Sequence, residues 1–381
     1  MRILHVASFV GNVGDNASHQ GLYSILSGLF DAYEVEQLEI RKFYKNYQHS
    51  DKRYFNHDFI IFANQFDLVV IGGGGFLDYW VKDSSTGTTV DLAPELVKEI
   101  KVPTIIASVG CVPHKDVPDG NIEKFRSFLE AVKLNPKVKI LIRNDGSVNS
   151  FKKYIGKKYL DDISEILDNG FFFDVNETLL PFEDEYVAIN ITNDQLAMNS
   201  SCRESIRIDR YHDALVKTIK YLCEEKKLKI VFVPHIYSDL KAISEIVFQL
   251  DDYIIREFVS IAPCIQGDSG ARLAFSVYKH SALTIGSRFH ANVCALAMRV
   301  PVVGLVALDR VKYVFDQFKL PDSYVLLDYD FSDDLIKIID TKLHETDGAS
   351  ESLALDLDVR KGLTRTIYSD VFRAFGFKVL R

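Results

Sequence analysis

The chain has 381 residues, 47% of them hydrophobic and 26% charged; these are globular proportions and exclude a disordered, collagen-like or coiled-coil reading of the whole. Its 53 acidic and 45 basic side chains give a formal charge of −8, which argues against a general nucleic-acid binder, since that role needs a cationic footprint. At about 150 residues per domain the length favours two domains over one.

The amino end, MRILHVASFVGNVGD, carries a short apolar run that stops at Gly and Asp rather than at a cleavage site, so it predicts a first β-strand. Further short apolar runs follow at Leu68–Ile71, Thr104–Ser108, Lys139–Ile142, Val187–Ile191, Ile230–Val233, Leu283–Ile285 and Val302–Val306. Continuous rather than alternating hydrophobicity is what a parallel strand covered on both faces requires. Helical spacing appears between them, at His19–Phe30, Asn121–Val132, Asp213–Glu225 and Arg288–Met298. Strands alternating with helices predict βαβ units and doubly wound sheets. The turn-rich, acidic segment Asp168–Glu185 separates two such sets, so we expect domains at 1–175 and 176–345, with closing helices at 346–381. The nearly apolar stretch Ala291–Leu308 is interrupted by Asn292, Arg299 and Pro301, which suits a buried helix and strand better than a membrane span. Five scattered cysteines (Cys111, Cys202, Cys223, Cys264, Cys294), with no C-x-x-C, predict neither a disulfide framework nor a zinc site and fit a cytoplasmic protein.

Four segments carry candidate chemistry. After the first strand comes Gly11-Asn12-Val13-Gly14-Asp15-Asn16, with a helix expected from about Ala17. It reads equally as an anion-binding helix start or as a plain turn capped by Asp15 or Asn16. The second segment runs from Asp67 to Asp78 and contains four consecutive glycines, Gly72, Gly73, Gly74 and Gly75, at a strand's carboxyl end, where open α/β sheets hold ligands. Leu77 stands where a dinucleotide fingerprint needs glycine, which discounts a nucleotide cofactor there. In the third, Arg143 at another strand end has a fork suited to carboxylate or phosphate, although most such arginines pair with a nearby acid. The fourth is Gly286-Ser287-Arg288-Phe289-His290. With Ser287 as N-cap, Arg288 and His290 fall in the first turn of a helix, where cations oppose the helix dipole by about 0.3–1 kcal/mol each unless an anion sits there. The same dipole lowers an imidazole pKa and a bound phosphate raises it again, which suits a proton donor armed by its substrate.

Two lesser features are His235 with Asp239, just past a strand of the second half, and the segment Arg41–Phe55. In that segment Arg41, Lys42, Lys45, Lys52 and Arg53 are interleaved with aromatic residues, a mixture that stacks on sugar rings or lies on an anionic lipid surface, or is simply a solvated loop.

Taken in order, these pieces resemble the polysaccharide pyruvyl transferase family: G-N-x-G-D after the first strand, D-x-V-x-x-G-G-G at Asp67–Gly74, R-x-x-x-S at Arg143–Ser147, P-H-x-x-x-D at Pro234–Asp239, S-R-x-H at Ser287–His290 and V-P-V-V-G at Val300–Gly304. Asn144 departs from the acidic residue common after that arginine. The resemblance implies an α/β fold of two Rossmann-like domains facing across a cleft, GT-B-like, and transfer of the enolpyruvyl-derived group of phosphoenolpyruvate to a sugar diol. On this reading His290, Arg288 and Asp15 are catalytic, with His290 the proton donor and Asp15 or Asp78 the base. Arg143, Arg288, Ser287, Gly73, Gly74, Gly75 and His290 hold the donor, and Asn12, Asp78, His235 and Asp239 face the acceptor. Neither cofactor nor metal is expected. The partners expected are phosphoenolpyruvate and a sugar acceptor on a lipid-linked glycan precursor, met at the inner membrane face where Arg41–Phe55 docks. A GT-B glycosyltransferase using a nucleotide-sugar donor is the alternative. The sequence carries no signal for the oligomeric state.

Overall fold

The computed structural model describes residues 1–175, 184–200, 206–344 and 347–380. The expected boundaries at 175/176 and 345/346, and Cys202, fall on positions outside the described residues. The chain divides into two compact units, one of Met1–Phe9, Leu22–Asn169 and Arg360–Arg381, the other of Val10–Gly21 and Gly170–Val359.

The strands are β1 (Arg2–Ala7), β2 (Glu34–Glu39), β3 (Leu68–Gly74), β4 (Thr104–Val109), β5 (Val138–Arg143), β6 (Ile163–Ile166), β7 (Tyr186–Asn190), β8 (Lys229–Phe232), β9 (Val259–Ile261), β10 (Leu283–Gly286), β11 (Val302–Val306) and β12 (Tyr324–Leu326). The helices are α1 (Val13–Ser27), α2 (His57–Ala63), α3 (Pro94–Val97), α4 (Asn121–Leu134), α5 (Ser147–Ser150), α6 (Ile208–Glu224), α7 (Tyr237–Val247), α8 (Asp252–Phe258), α9 (Gly267–Lys279), α10 (Phe289–Ala297), α11 (Asp309–Gln317), α12 (Ser332–Leu343) and α13 (Asp347–Ala374).

Each unit carries one six-stranded sheet, ordered β2-β1-β3-β4-β5-β6 in the first and β12-β11-β10-β7-β8-β9 in the second. All pairings are parallel. The eight apolar runs of the sequence are the eight inner strands, buried on both faces as their continuous hydrophobicity demands. Leu4, Val6, Val69, Ile71, Ile106 and Ile140 centre the core of the first unit. Val187, Ile189, Ile230, Phe232, Leu283 and Val303 do the same in the second. Ala291–Leu308 folds as expected into α10 followed by β11.

In an open doubly wound sheet, ligands bind beyond the carboxyl ends of the strands where the order reverses. That point lies between β1 and β3 in the first sheet and between β7 and β10 in the second. The glycine run forms the carboxyl end of β3, and Ser287-Arg288-Phe289-His290 follows β10.

Candidate functional site

The second unit's switch point is knitted by Asn190, the last residue of β7. Its carbonyl accepts from Ser287 N at 3.0 Å, and its Oδ1 accepts from Arg288 N at 2.9 Å. From the other side Asn292, inside α10, donates to the carbonyls of Gly286 and Arg288, both at 2.9 Å. The loop between β10 and α10 is thus fixed at both ends. Arg288 itself is the N-cap, with extended backbone (φ −80, ψ 144) and no side-chain cap. This corrects the expected cap at Ser287, whose hydroxyl instead lies 3.2 Å from the Tyr211 hydroxyl, buried beneath the loop.

The Arg288 side chain is 7% exposed. Its Nε donates to both oxygens of Asp239 at 3.0 and 2.8 Å, and its Nη2 to Thr192 Oγ1 at 3.0 Å, Asp194 Oδ1 at 2.9 Å and Asp239 Oδ1 at 2.5 Å. Burial works against the guanidinium charge, but Asp239 and Asp194 outweigh it and the pKa is raised. So the anion that the sequence called for beside this helix start is supplied in part by the chain itself. The two carboxylates differ: the Asp239 side chain is wholly buried, whereas that of Asp194 is 38% exposed. No hydrogen bond engages Nη1 of Arg288 among the described residues.

Asp239 also accepts from the backbone N–H groups of His235 (2.9 Å) and Ile236 (3.3 Å), capping α7. His235 is buried, with Nε2 2.8 Å from the Tyr278 hydroxyl, and its pKa lies well below the usual value because burial, then the charges of Arg288 and His290, oppose protonation. His235 and Asp239, expected to face the acceptor, thus each have partners within the fold. Both are enclosed, and both brace Arg288 or the turn behind it.

His290 follows in the first turn of α10, 6% exposed, with its ring edge-on to Phe289 at 5.3 Å. The loop Val10–Gly21 belongs to this unit and meets it. A Cβ placed on Gly14 would lie 2.6 Å from His290 Nδ1, 2.9 Å from its Cβ and 3.0 Å from its Cγ, so only glycine leaves room for the imidazole. Helix α1 starts at Val13, earlier than expected, and Asn12 Oδ1 accepts from Gly14 N at 3.0 Å. Asn12, expected to face the acceptor, thus caps the helix start, while Asp15 lies in the first turn, partly exposed. Val13 N donates to the His235 carbonyl at 3.2 Å. Asn16 and Gln20 donate side-chain amides to Asp268 of α9 at 3.0 and 2.8 Å. Asp268, Thr192 and Asp194 were missed in the sequence, which offered Asn16 only as a cap. The polar run Thr192–Gln195 just past a strand was the available signal for Thr192 and Asp194; nothing local marks Asp268.

In the first unit the remaining candidates pack on one another. Arg143 is 1% exposed; its Nε donates to Asp145 at 2.7 Å and its Nη1 to Asp168 at 3.3 Å. Burial opposes its charge, yet those two carboxylates hold its pKa above the ordinary range. Arg143, expected to hold the donor, is thus paired with two acids of its own unit. Ser147 Oγ donates to Asp145 at 2.5 Å and accepts from Cys111 N at 2.8 Å. Asp78, expected to face the acceptor, is buried and accepts from Val112 N at 2.7 Å. The glycine run is filled by the chain itself: a Cβ on Gly72 would strike the Ala107 carbonyl at 1.9 Å, one on Gly74 the Phe76 ring at 2.7 Å and one on Gly75 the Asp78 carboxylate at 2.5 Å. Gly73 takes a left-handed φ of 86°. Close packing at Gly74 and Gly75 and the left-handed backbone at Gly73 are what the fold requires of these glycines, which were expected to hold the donor. Among the described residues no group of three or more His, Cys, Asp or Glu is placed to hold a metal ion.

Two parallel α/β sheets of this order define a pair of Rossmann-like domains of the GT-B type, and solved structures agree. UDP-GlcNAc 2-epimerase from Methanocaldococcus jannaschii superposes with a TM-score of 0.54 at 11% identity, covering 91% of this chain and 94% of that one. A glycosyltransferase from Rickettsia africae gives 0.54 at 12% identity (97% and 98%), and Anabaena HepE in complex with UDP and glucose gives 0.53 at 12% (97% and 99%). At such identities the likeness concerns the fold. The family model for polysaccharide pyruvyl transferase matches residues 12–308, from the glycine loop on α1 to the end of the β11 segment, and the chain belongs to that family.

Proposed function

We propose that the protein transfers the enolpyruvyl-derived group of phosphoenolpyruvate to two hydroxyls of a sugar, forming a pyruvate ketal and releasing phosphate. The observation that carries this reading is the seating of His290 on Gly14 beside the braced Arg288, beyond the β7/β10 switch point. In the proposed reaction His290 gives its proton to the methylene carbon of the donor. One sugar hydroxyl attacks the adjacent carbon as its proton passes to a base, for which Asp15 is our choice. Phosphate then departs with the bonding pair and takes up the proton held by Asp15, and the second hydroxyl closes the ring, its proton returning to the imidazole. Arg288 meets the donor through Nη1; Asp194, the exposed partner, is the one a ligand carboxylate or phosphate displaces, while Asp239 keeps the fork aimed. The acceptor is a hexose of a lipid-linked glycan precursor, reached from the cytoplasmic side of the membrane. No helix among the described residues is long and apolar enough to cross a membrane.

The test is phosphate release from phosphoenolpyruvate with a candidate lipid-linked glycan, and mass spectrometry of the product. His290→Gln is expected to abolish both signals with the fold retained; undiminished turnover refutes the assignment. The similarity to sugar-nucleotide proteins gives the competing reading, a nucleotide-sugar glycosyltransferase. Thermal stabilisation by UDP-GlcNAc and none by phosphoenolpyruvate would favour it, a ligand at about 100 times its dissociation constant being worth roughly 2.7 kcal/mol.

A further inference from the structure

The basic and aromatic segment Arg41–Phe55 folds around a depression of about 380 Å3 on the first unit, within the range that houses small ligands (about 300–1,000 Å3). Its floor is apolar, formed by Phe43, Phe59 and Phe62. Its rim carries Glu36, Lys52, Arg53, Tyr54, Asn56 and Asp58.

The rim is built rather than loose. Phe43 stacks on Phe55 at 4.3 Å, and Phe55 meets Phe59 edge-on at 5.0 Å, so the floor is one aromatic cluster. Asn56 caps α2 by accepting from Phe59 N at 3.0 Å. Lys52 donates to the Tyr44 carbonyl while its ammonium sits 5.5 Å from the centre of the Tyr54 ring. Tyr54 is thereby steadied although 62% exposed.

The charges decide what fits. Two of the five basic residues that made this segment look like a lipid-binding surface are paired with acids, Lys42 with Asp51 at 2.8 Å and Lys45 with Asp91 at 2.5 Å, while Lys52 keeps its charge and is tethered to a carbonyl. Within the depression two cations, Lys52 and Arg53, face two anions, Glu36 and Asp58, so its formal charge is zero. A phosphate or anionic headgroup meets two carboxylates there. An uncharged pyranose meets what it needs: an exposed aromatic face for its C–H groups, carboxylates to accept from neighbouring hydroxyls and a guanidinium to donate to ring or hydroxyl oxygens.

We infer that this depression is a carbohydrate-binding site that takes an uncharged sugar ring. That the ring belongs to the acceptor glycan rests on the transfer reading above; the binding itself does not. The experiment is saturation-transfer NMR of the full chain, without donor, using methyl β-glucopyranoside, methyl β-galactopyranoside, methyl α-mannopyranoside and methyl N-acetyl-β-glucosaminide. Saturation of at least one is expected, with affinity falling roughly three- to tenfold in Tyr54→Ala, the loss expected for one aromatic contact. Arg53→Ala should lower it as well. No saturation of any of the four, or affinity unchanged in Tyr54→Ala, overturns the inference. So does sedimentation with phosphatidylglycerol vesicles that Arg53→Ala abolishes in the absence of sugar binding, since that outcome makes the surface a lipid site. Failure of phosphate release from phosphoenolpyruvate would refute the transfer reading and leave sugar binding here unaffected.

Discussion

Replacing Gly14 with alanine isolates the link between the first loop and the imidazole. Gly14 lies inside α1 and its φ is not among the positive values of this backbone, so alanine suits its conformation. In helix propensity alone the change should stabilise by up to about 1 kcal/mol. Against this, the new methyl would stand 2.6 Å from His290 Nδ1 and 2.9 Å from its Cβ. An ordinary contact begins near 3.4 Å, so the ring and its root must withdraw by about half an ångström or more, and such overpacking costs about 1–3 kcal/mol. The balance is a loss of roughly 0–3 kcal/mol in unfolding free energy. On the proposed role of His290 as proton donor, activity suffers more, because displacing a catalytic group by about 1 Å costs on the order of 10²-fold in turnover. The assay is a double-mutant cycle in urea unfolding and in phosphate release with Gly14→Ala, His290→Ala and both. In the His290→Ala background the Nδ1 and Cγ contacts vanish and only the 2.9 Å contact to Cβ remains, so Gly14→Ala should cost about 1 kcal/mol less than in the parent. Turnover of the double variant should equal that of His290→Ala. Equal stability losses in both backgrounds, or independent effects on turnover, would refute the argument that Gly14 acts through His290.

Three other outcomes follow from the same geometry. Arg288→Ala strands the carboxylates of Asp239 and Asp194 and should lower unfolding free energy by about 3–5 kcal/mol, with Arg288→Lys falling between; denaturation curves superposing on the parent would contradict the buried pairing. Asp268→Ala removes the acceptor for Asn16 and Gln20, about 1–3 kcal/mol, and should speed amide exchange across residues 13–16; unchanged exchange would mean that the loop does not depend on this anchor. His235 stays neutral in the fold, whereas in the unfolded chain it protonates near its ordinary value of 6.5. Below that pH the unfolded state binds the extra proton, so stability falls on acidification by up to about 1.4 kcal/mol per pH unit. His235→Gln should flatten the slope between about pH 6.5 and 5; parallel slopes would show that this imidazole does not titrate on unfolding.

The two arginines illustrate how similar local sequences differ in use. Arg143 and Arg288 each follow a parallel strand and each is gripped by two carboxylates. Both partners of Arg143 are wholly enclosed, whereas one partner of Arg288 is more than a third exposed, and only the second arrangement leaves a place for a ligand to compete. Strand-end position, which is all the sequence displays, is common to both.

What the sequence determined by itself was the pair of parallel sheets, because an inner strand buried on both faces must be apolar throughout and announces itself as a continuous run. The four strands it did not reveal, β2, β6, β9 and β12, are the outer ones of the two sheets, where one side is open and residues such as Glu34, Glu36 and Glu165 are tolerated. It also marked the loop bearing Arg288 and His290, since a guanidinium and an imidazole at a helix start oppose the helix dipole and so need a reason to be there. Only tertiary structure decided what answered those charges. Asp239, in the first turn of α7, and Asp194, in the loop after β7, come from 49 and 94 positions earlier, and Gly14 reaches His290 across most of the chain. Contacts of that range leave no periodic trace, because what brings them together is the register of parallel strands, not the spacing of residues along the backbone.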